Sequence, residues 1–296
     1  MYDLSPRARH RPLRRAPWLA IPLILAACGG SDDPASPSDD DEQTPDEQTL
    51  DGWTLVWQDE FDGNALDATR WSVQTGDGCA VNLCGWGNNE LQWYQAGNAT
   101  VGNGMLTITA RRENAGGRGY SSARLRTLRK GDWRFARVDA RARLPTGQGY
   151  WPAIWMLPTD EVYGTWAASG EIDIMELVGH EPNRVHGTLH YGGTSPANQS
   201  TGDAYQLPSG TFADAFHVFS VEWDEGEIRW YVDGRLYQTQ TSWFSTAAPF
   251  PAPFNQRFHL IVNVAVGGNW PGNPDGSTVF PQSMDIDWIR VYQRSP

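Results

Sequence analysis

From Gly52 onward no stretch of the chain sustains a helical period. Apolar and polar residues instead alternate in short runs broken by Gly, Pro, Asn and Asp. The runs include MLTITAR (105–111), FARVDARARL (135–144), VHGTLHY (185–191), HVFSVEW (217–223), IRWYVDG (228–234), FHLIVNVAV (258–266) and DIDWIRVY (285–292). Turn signals such as DEGE at 224–227 stand between them at hairpin distance. A domain spanning 52–296 and built this way is all-β, and with about 240 residues it closes better as a two-sheet antiparallel sandwich than as a small barrel.

The residues before it read differently. Arg7, Arg9, Arg11, Arg14 and Arg15 precede the apolar run APWLAIPLILAA, which is too short to span a bilayer as a mature helix. The run ends in Leu25-Ala26-Ala27-Cys28, which resembles the lipobox of bacterial lipoproteins. Residues 1–27 are therefore expected to be a signal peptide and Cys28 the lipidated first residue, against an ordinary secretory signal as the alternative. Residues 31–51 carry nine acids with no basic or aromatic residue, so segment 28–51 is expected to be an extended acidic tether. That places the chain on a bacterial cell envelope, with the outer membrane favoured, or in the secreted fraction, and makes the anchor its one membrane contact.

The chain carries a net charge of −12, and loss of residues 1–27 removes five arginines and one aspartate, taking it to −16. Nine of those negatives belong to the tether. The domain that remains has no basic stripe for a phosphate backbone, which argues against nucleic acid, while a neutral polymer fits. With Cys28 assigned to lipid, Cys79 and Cys84 are left as a disulfide closing a short loop or as two free thiols; no Cys/His spacing points to zinc.

Fifteen tryptophans exceed what a core needs, and several sit in loop-like sequence: Trp86 in CGWGNNE, Trp151 in GYWPAIWML, Trp166 in GTWAASGE and Trp270 in GGNWPGNP. Exposed indoles suit stacking on sugar rings, whose C–H faces are apolar and whose hydroxyls need partners. For Trp155, inside a strand-like run, packing is a rival.

The densest chemistry is GEIDIMELVG at 170–179. On a regular strand Glu171, Asp173 and residue 175 share a face, yet 175 is a methionine and the third acid comes one step late, at Glu176. One extra residue at Ile174-Met175, a β-bulge, restores the parity. Otherwise Glu176 enters a hydrophobic core at a cost of several kcal/mol. Three aligned carboxylates repel one another, so stability alone does not explain them. Two carboxyl groups flanking a bound bond are what glycoside hydrolysis needs, one as proton donor and one as nucleophile or base. After the bulge Glu171 and Glu176 are about 13 Å apart at Cα, at ~3.3 Å per step. Curvature and inward-leaning side chains could close that towards the ~5 to 5.5 Å of a retaining enzyme. Asp173 between them should split the pKa values of its neighbours.

EIDIME, with GWGNNELQWY, GQGYWPAIWMLP, RVHGTLHYGG, FHVFSVEWDEGEIRWYVDG, NVAVGGNWPG and DIDWIRVYQ, resembles glycoside hydrolase family 16, specifically its laminarinase-like endo-β-1,3-glucanases, over residues 53–293. The resemblance implies a concanavalin-like β-jelly roll with a concave cleft, acting as a monomer on β-glucan with retention. It assigns Glu171 as nucleophile, Glu176 as acid/base and Asp173 as support. It also puts Asn88, Arg124, Trp151, Trp166, His190 and Trp270 along the glycan cleft, and a structural calcium ion at Glu60, the Gly104 carbonyl and Asp287, with no cofactor for catalysis. His190, in period with Thr188 and His186, could hydrogen-bond beside the acids. The chain departs from the family's simplest pattern in CAVNLC, a cysteine-bracketed insertion beside one cleft wall. Two other readings stand beside this one: a non-catalytic β-glucan-binding module, and the same chemistry on mixed-linkage glucan, agarose or another galactan.

Overall fold

A computed structural model describes residues 52–294. The expectations for residues 1–27, Cys28 and the 28–51 tether lie outside the described residues.

Two large antiparallel sheets face each other. The outer one runs, edge to edge, Arg235–Gln240, Glu227–Val232, His217–Asp224, Ala136–Arg143, Gln282–Arg294, Met105–Ala110 and Ala99–Gly102, with Trp53–Asp59 also paired to Gln282–Arg294. The inner one runs Asn198–Gln206, Arg184–Gly192, Glu171–Glu176, Tyr150–Pro158, Phe258–Val266, Arg124–Arg126 and Ser72–Gln74, with Asp132–Trp133 paired to Phe258–Val266. The helical turns described are short 3-10 segments such as Cys79–Val81 and Cys84–Gly87. Asp224 pairs with Glu227 across the DEGE turn, as the hairpin signal requires.

Alternation fixes the faces. In Phe258–Val266, Phe258, Leu260, Val262, Val264 and Val266 join the core with Val138, Val221, Trp230 and Ile289 of the outer sheet. His259, Ile261, Asn263 and Ala265 therefore take the opposite, concave face. They are buried there too.

The bulge is present. Asp173 pairs with Thr188 and Glu176 with His186, so three steps on one strand meet two on its neighbour. On the other side Met175 pairs with Ile154 and Asp173 with Trp155, which leaves Ile174 as the extra residue. Ile174 and Met175 are both buried in the core, while Glu171, Asp173 and Glu176 face the cleft. The outer sheet meets a backbone group at this point, since Trp230 Nε1 donates to the Asp173 carbonyl at 2.8 Å. That indole reaches the inner sheet because residue 187 has no side chain. A Cβ there would lie 2.5 Å from the Trp230 ring.

Candidate active site

Pairing across the inner sheet sets side chains in rows on the concave face. One row reads His186, Glu176, Ala153, Asn263, Arg124, Gln74, and the next reads Thr188, Asp173, Trp155, Ile261, Arg126, Ser72. Glu171 pairs with His190. The triplet thus crosses three successive pairs with His190, Thr188 and His186, the period-two set expected from the sequence.

Each glutamate is held by an indole. Trp166 Nε1 donates to Glu171 Oε2 at 2.9 Å and Trp151 Nε1 donates to Glu176 Oε1 at 3.0 Å. Trp270 packs edge-on against Trp151 and against His186, with centroids 5.6 and 4.9 Å apart. The glycine-rich stretch carrying it is tied to the GWGNNE loop by Asn269 N–H donating to the Asn88 carbonyl (2.8 Å) and by Asn89 Nδ2 donating to Asn269 Oδ1 (2.8 Å). Gly268 passes close beside the Trp151 ring with φ +127, a conformation glycine adopts without strain. Trp166 and Trp270 keep 40% and 41% of their surface, enough to meet a sugar while supporting the carboxylates.

His190 Nε2 lies 3.2 Å from Asp173 Oδ2 and 3.6 Å from Glu171 Oε1. Burial disfavours its imidazolium, but Asp173, Glu171 and Glu176 outweigh that and push it up to about 10. Glu171 is raised to about 8, chiefly by burial and then by the Asp173 charge, while His190, the Trp166 N–H and Arg124 pull it back. Glu176 stands well above the usual carboxylate range, by burial and by repulsion from both Asp173 and Glu171; His190 and Trp151 oppose this. Glu171 has two cations in its favour and Glu176 has two acids against it, so Glu171 is the first of the pair to ionise and Glu176 keeps its proton longer. A pair split in this way can supply a nucleophile and a proton donor at the same pH.

Trp166→Phe keeps the ring and removes the N–H that favours the Glu171 carboxylate. The acid limb of kcat/KM should therefore move to higher pH, read from a full pH profile. A limb that stays in place would mean that the indole does not bear on Glu171.

The remaining predicted residues divide. Asn88 borders the cleft and points Nδ2 at Glu90 Oε1, 3.4 Å away. Arg124 is buried in the cleft floor, sandwiched between Trp86 and Trp155 at 4.5 and 4.7 Å from their centroids, with Nε donating to Gln74. Trp86 corrects an expectation: it is 7% exposed and donates Nε1 to the Gly76 carbonyl, so its flat face carries Arg124 and no sugar. Cys79 and Cys84 form a disulfide. Glu60 engages Arg290 through both oxygens (2.8 and 2.9 Å), Asp287 pairs with Arg141, and Gly104 sits in the turn before Met105–Ala110. Both carboxylates of the expected calcium set are spent on guanidinium groups, so these side chains do not fit a cation as arranged. Glu171, Asp173 and His190 offer three donor atoms within 4.8 Å of one another.

A layer beneath the cleft was not foreseen. Trp155 Nε1 donates to Asn263 Oδ1 (2.8 Å), Asn263 Nδ2 to Tyr94 OH (3.2 Å), and Tyr94 OH to Glu90 Oε2 (3.1 Å), which also accepts from Gln92 Nε2 (2.7 Å). The signal available was polar Asn263 inside the otherwise apolar run LIVNVAV.

A concave antiparallel sandwich with two opposed glutamates, an aspartate between them and indoles along the trough is a site of the glycosidic-bond-cleaving class. The comparisons identify it more closely. The chain belongs to glycosyl hydrolases family 16, which it matches over residues 87–290. It is 47% identical over 268 residues to glucan endo-1,3-beta-glucosidase A1 of Niallia circulans, covering 84% of this chain and 39% of that protein, so it spans less than half of that relative. It is 43% identical over 261 residues to a beta-glucanase of Rhodothermus marinus, covering 81% of this chain and 85% of the relative. Among solved structures, the catalytic domain of an endo-1,3-beta-glucanase (laminarinase) from Thermotoga petrophila RKU-1 superposes with a TM-score of 0.76 at 43% identity, over 82% of this chain and 99% of that one.

Proposed function

We propose that this chain hydrolyses internal β-1,3-glucosidic bonds of laminarin-type glucans with net retention. The observation that carries the reading is the bulge, which returns Glu176 to the face of Glu171 and sets an indole N–H on each carboxylate. Likeness to the endo-1,3-beta-glucosidase and laminarinase named above supports the substrate.

In the first step the Glu171 carboxylate attacks the anomeric carbon while Glu176 gives its proton to the departing glycosidic oxygen. The result is a glycosyl ester on Glu171 and a Glu176 carboxylate. Water then attacks the anomeric carbon of that ester, Glu176 takes the water's proton, and the bond from the anomeric carbon to Glu171 breaks to free the Glu171 carboxylate. Asp173 holds the His190 imidazolium beside Glu171, which favours the ionised nucleophile before attack. Trp151 Nε1 donates to Glu176 Oε1 and so orients that carboxyl group for both proton transfers.

A polysaccharide panel with product sizing tests this reading. Laminarin should give mixed oligosaccharides early, the mark of internal cutting, and mixed-linkage glucan or agarose less or none. Binding of laminarin without any release of reducing ends would overturn it in favour of a binding module.

A further inference from the structure

Residues 79–84 are all exposed, Val81 at 64% among them, so the loop that Cys79 and Cys84 close adds nothing to the core. A ring this short also gains less from cross-linking the unfolded chain than a long one does. Stability of the sandwich is a poor reason for the bond, and its neighbours supply a better one. Directly after Cys84 the chain turns inward. Gly85 and Trp86 are buried, and Trp86 sits at φ +50, a left-handed conformation that a bulky residue rarely adopts unless its surroundings hold it there.

That turn is held from both sides. On the inside Trp86 Nε1 donates to the Gly76 carbonyl at 3.2 Å, Gly76 pairs with Tyr94, and the Tyr94 ring lies 5.5 Å from the indole. On the outside the disulfide fixes Cys84, and the Leu83 N–H donates to the Gly78 carbonyl at 2.9 Å. So pinned, the turn lays one indole face on Arg124, whose other face meets Trp155. It then runs on to Asn88, whose N–H donates to the Gly85 carbonyl and whose own carbonyl accepts from Asn269. The charges and titratable groups facing Arg124 are Glu90, Tyr94, Glu171, Arg126 and His259; those facing Glu171 are Asp173, His190, Glu176 and Arg124.

We propose that the Cys79–Cys84 disulfide is a positioning element of the catalytic site: it pins the turn that presses Trp86 onto Arg124, and its reduction loosens that sandwich. A small dithiol breaks the S–S bond, leaves one hydrogen on each protein sulfur and closes to its own disulfide. Both cysteines are exposed, so the reductant reaches them. Trp86 then relaxes from its left-handed conformation, water reaches the guanidinium, and the field of Arg124 at Glu171 weakens. Arg124 favours the Glu171 carboxylate, so a weaker field moves ionisation of Glu171 to higher pH. It ranks behind burial, Asp173, His190 and Trp166 in its effect there, so the movement is modest.

The test is the pH profile of kcat/KM on laminarin for the full chain, oxidised and after treatment with dithiothreitol, with a rise of two free thiols marking the reduction. The double variant Cys79→Ser, Cys84→Ser is measured beside it. Reduction and double substitution should each lower kcat/KM about threefold on the acid limb, for a shift of about half a pH unit, and leave the plateau within about twofold. Reoxidation should restore the profile of the reduced chain, and the double variant should not respond to dithiothreitol. Trp86→Leu, which removes the face that Arg124 rests on, should move the same limb and make it insensitive to reduction. An unmoved limb, or an equal loss at every pH as a merely structural bond would give, overturns the positioning role. If the double variant does not fold, the reduced and reoxidised chain carries the test; if the bond resists the reductant, the double variant does. The proposal rests on the hydrolase reading above. Laminarin left uncut by the oxidised chain would sink both, whereas normal cutting with an unmoved limb would sink the role of the disulfide alone.

Discussion

Glu171→Gln should reduce kcat on laminarin on the order of ten-thousand-fold with KM little changed, and leave the fold intact. The amide is isosteric and can still accept from Trp166, so binding survives, but it cannot form the glycosyl ester. The same change removes one of three mutually repelling carboxylates from a buried cluster. Thermal stability should hold or rise, because burial and Asp173 are what raise this group in the folded chain. The linkage sign agrees. A carboxyl whose folded pKa is raised to about 8 costs stability progressively as pH climbs from the ordinary carboxylate range through 8. The Tm of Glu171→Gln should therefore exceed that of the parent by more at pH 9 than at pH 5. Glu176→Gln should fail on laminarin too, but should retain the first step on an aryl glucoside whose leaving group needs no protonation. Equal losses on both substrates would remove Glu176 from the acid role.

Strand parity gives the second large effect. Deleting Ile174 leaves Glu171-Ile172-Asp173-Met175-Glu176, a regular alternation in which all three acids still share a face and Met175 takes the core position. That variant should keep measurable activity while losing the burial of one isoleucine, about 2 to 4 kcal/mol by chemical denaturation. Deleting both Ile174 and Met175 turns Glu176 into the core. Activity should then be lost as completely as in Glu176→Gln, with a further several kcal/mol of destabilisation from the buried carboxyl. The double deletion working better than the single one would contradict the face assignment.

The sequence carried the sandwich and the bulge for one reason: period-two alternation is steric, and a break in it beside acids has few physical readings. Boundaries for Phe258–Val266 match the apolar run residue for residue. Asn198–Gln206 was not legible, because NQSTGDAYQ is an edge strand with mostly exposed side chains and shows no apolar alternation to read. Trp151 and Trp166 could be assigned to the cleft as sugar platforms, but their hydrogen bonds to Glu176 and Glu171 depend on which strand neighbours which. That information is not local. Trp86 was misread for a related reason: a glycine-rich context indicates a loop, and this loop folds down over Arg124. The Glu90–Tyr94–Asn263–Trp155 layer joins three separated segments, and only pairing across the sheet brings them together.

The central claim is that the kinked strand presents Glu171 as nucleophile and Glu176 as proton donor to one bound glucan. The direct measurement is mass mapping of the chain after trapping with a 2-deoxy-2-fluoro-β-glucosyl substrate that carries a reactive leaving group. The account predicts one added glycosyl group, located on Glu171 and absent from Glu171→Gln. A label on Glu176, or turnover that inverts the anomeric centre with no labelled protein, would contradict it.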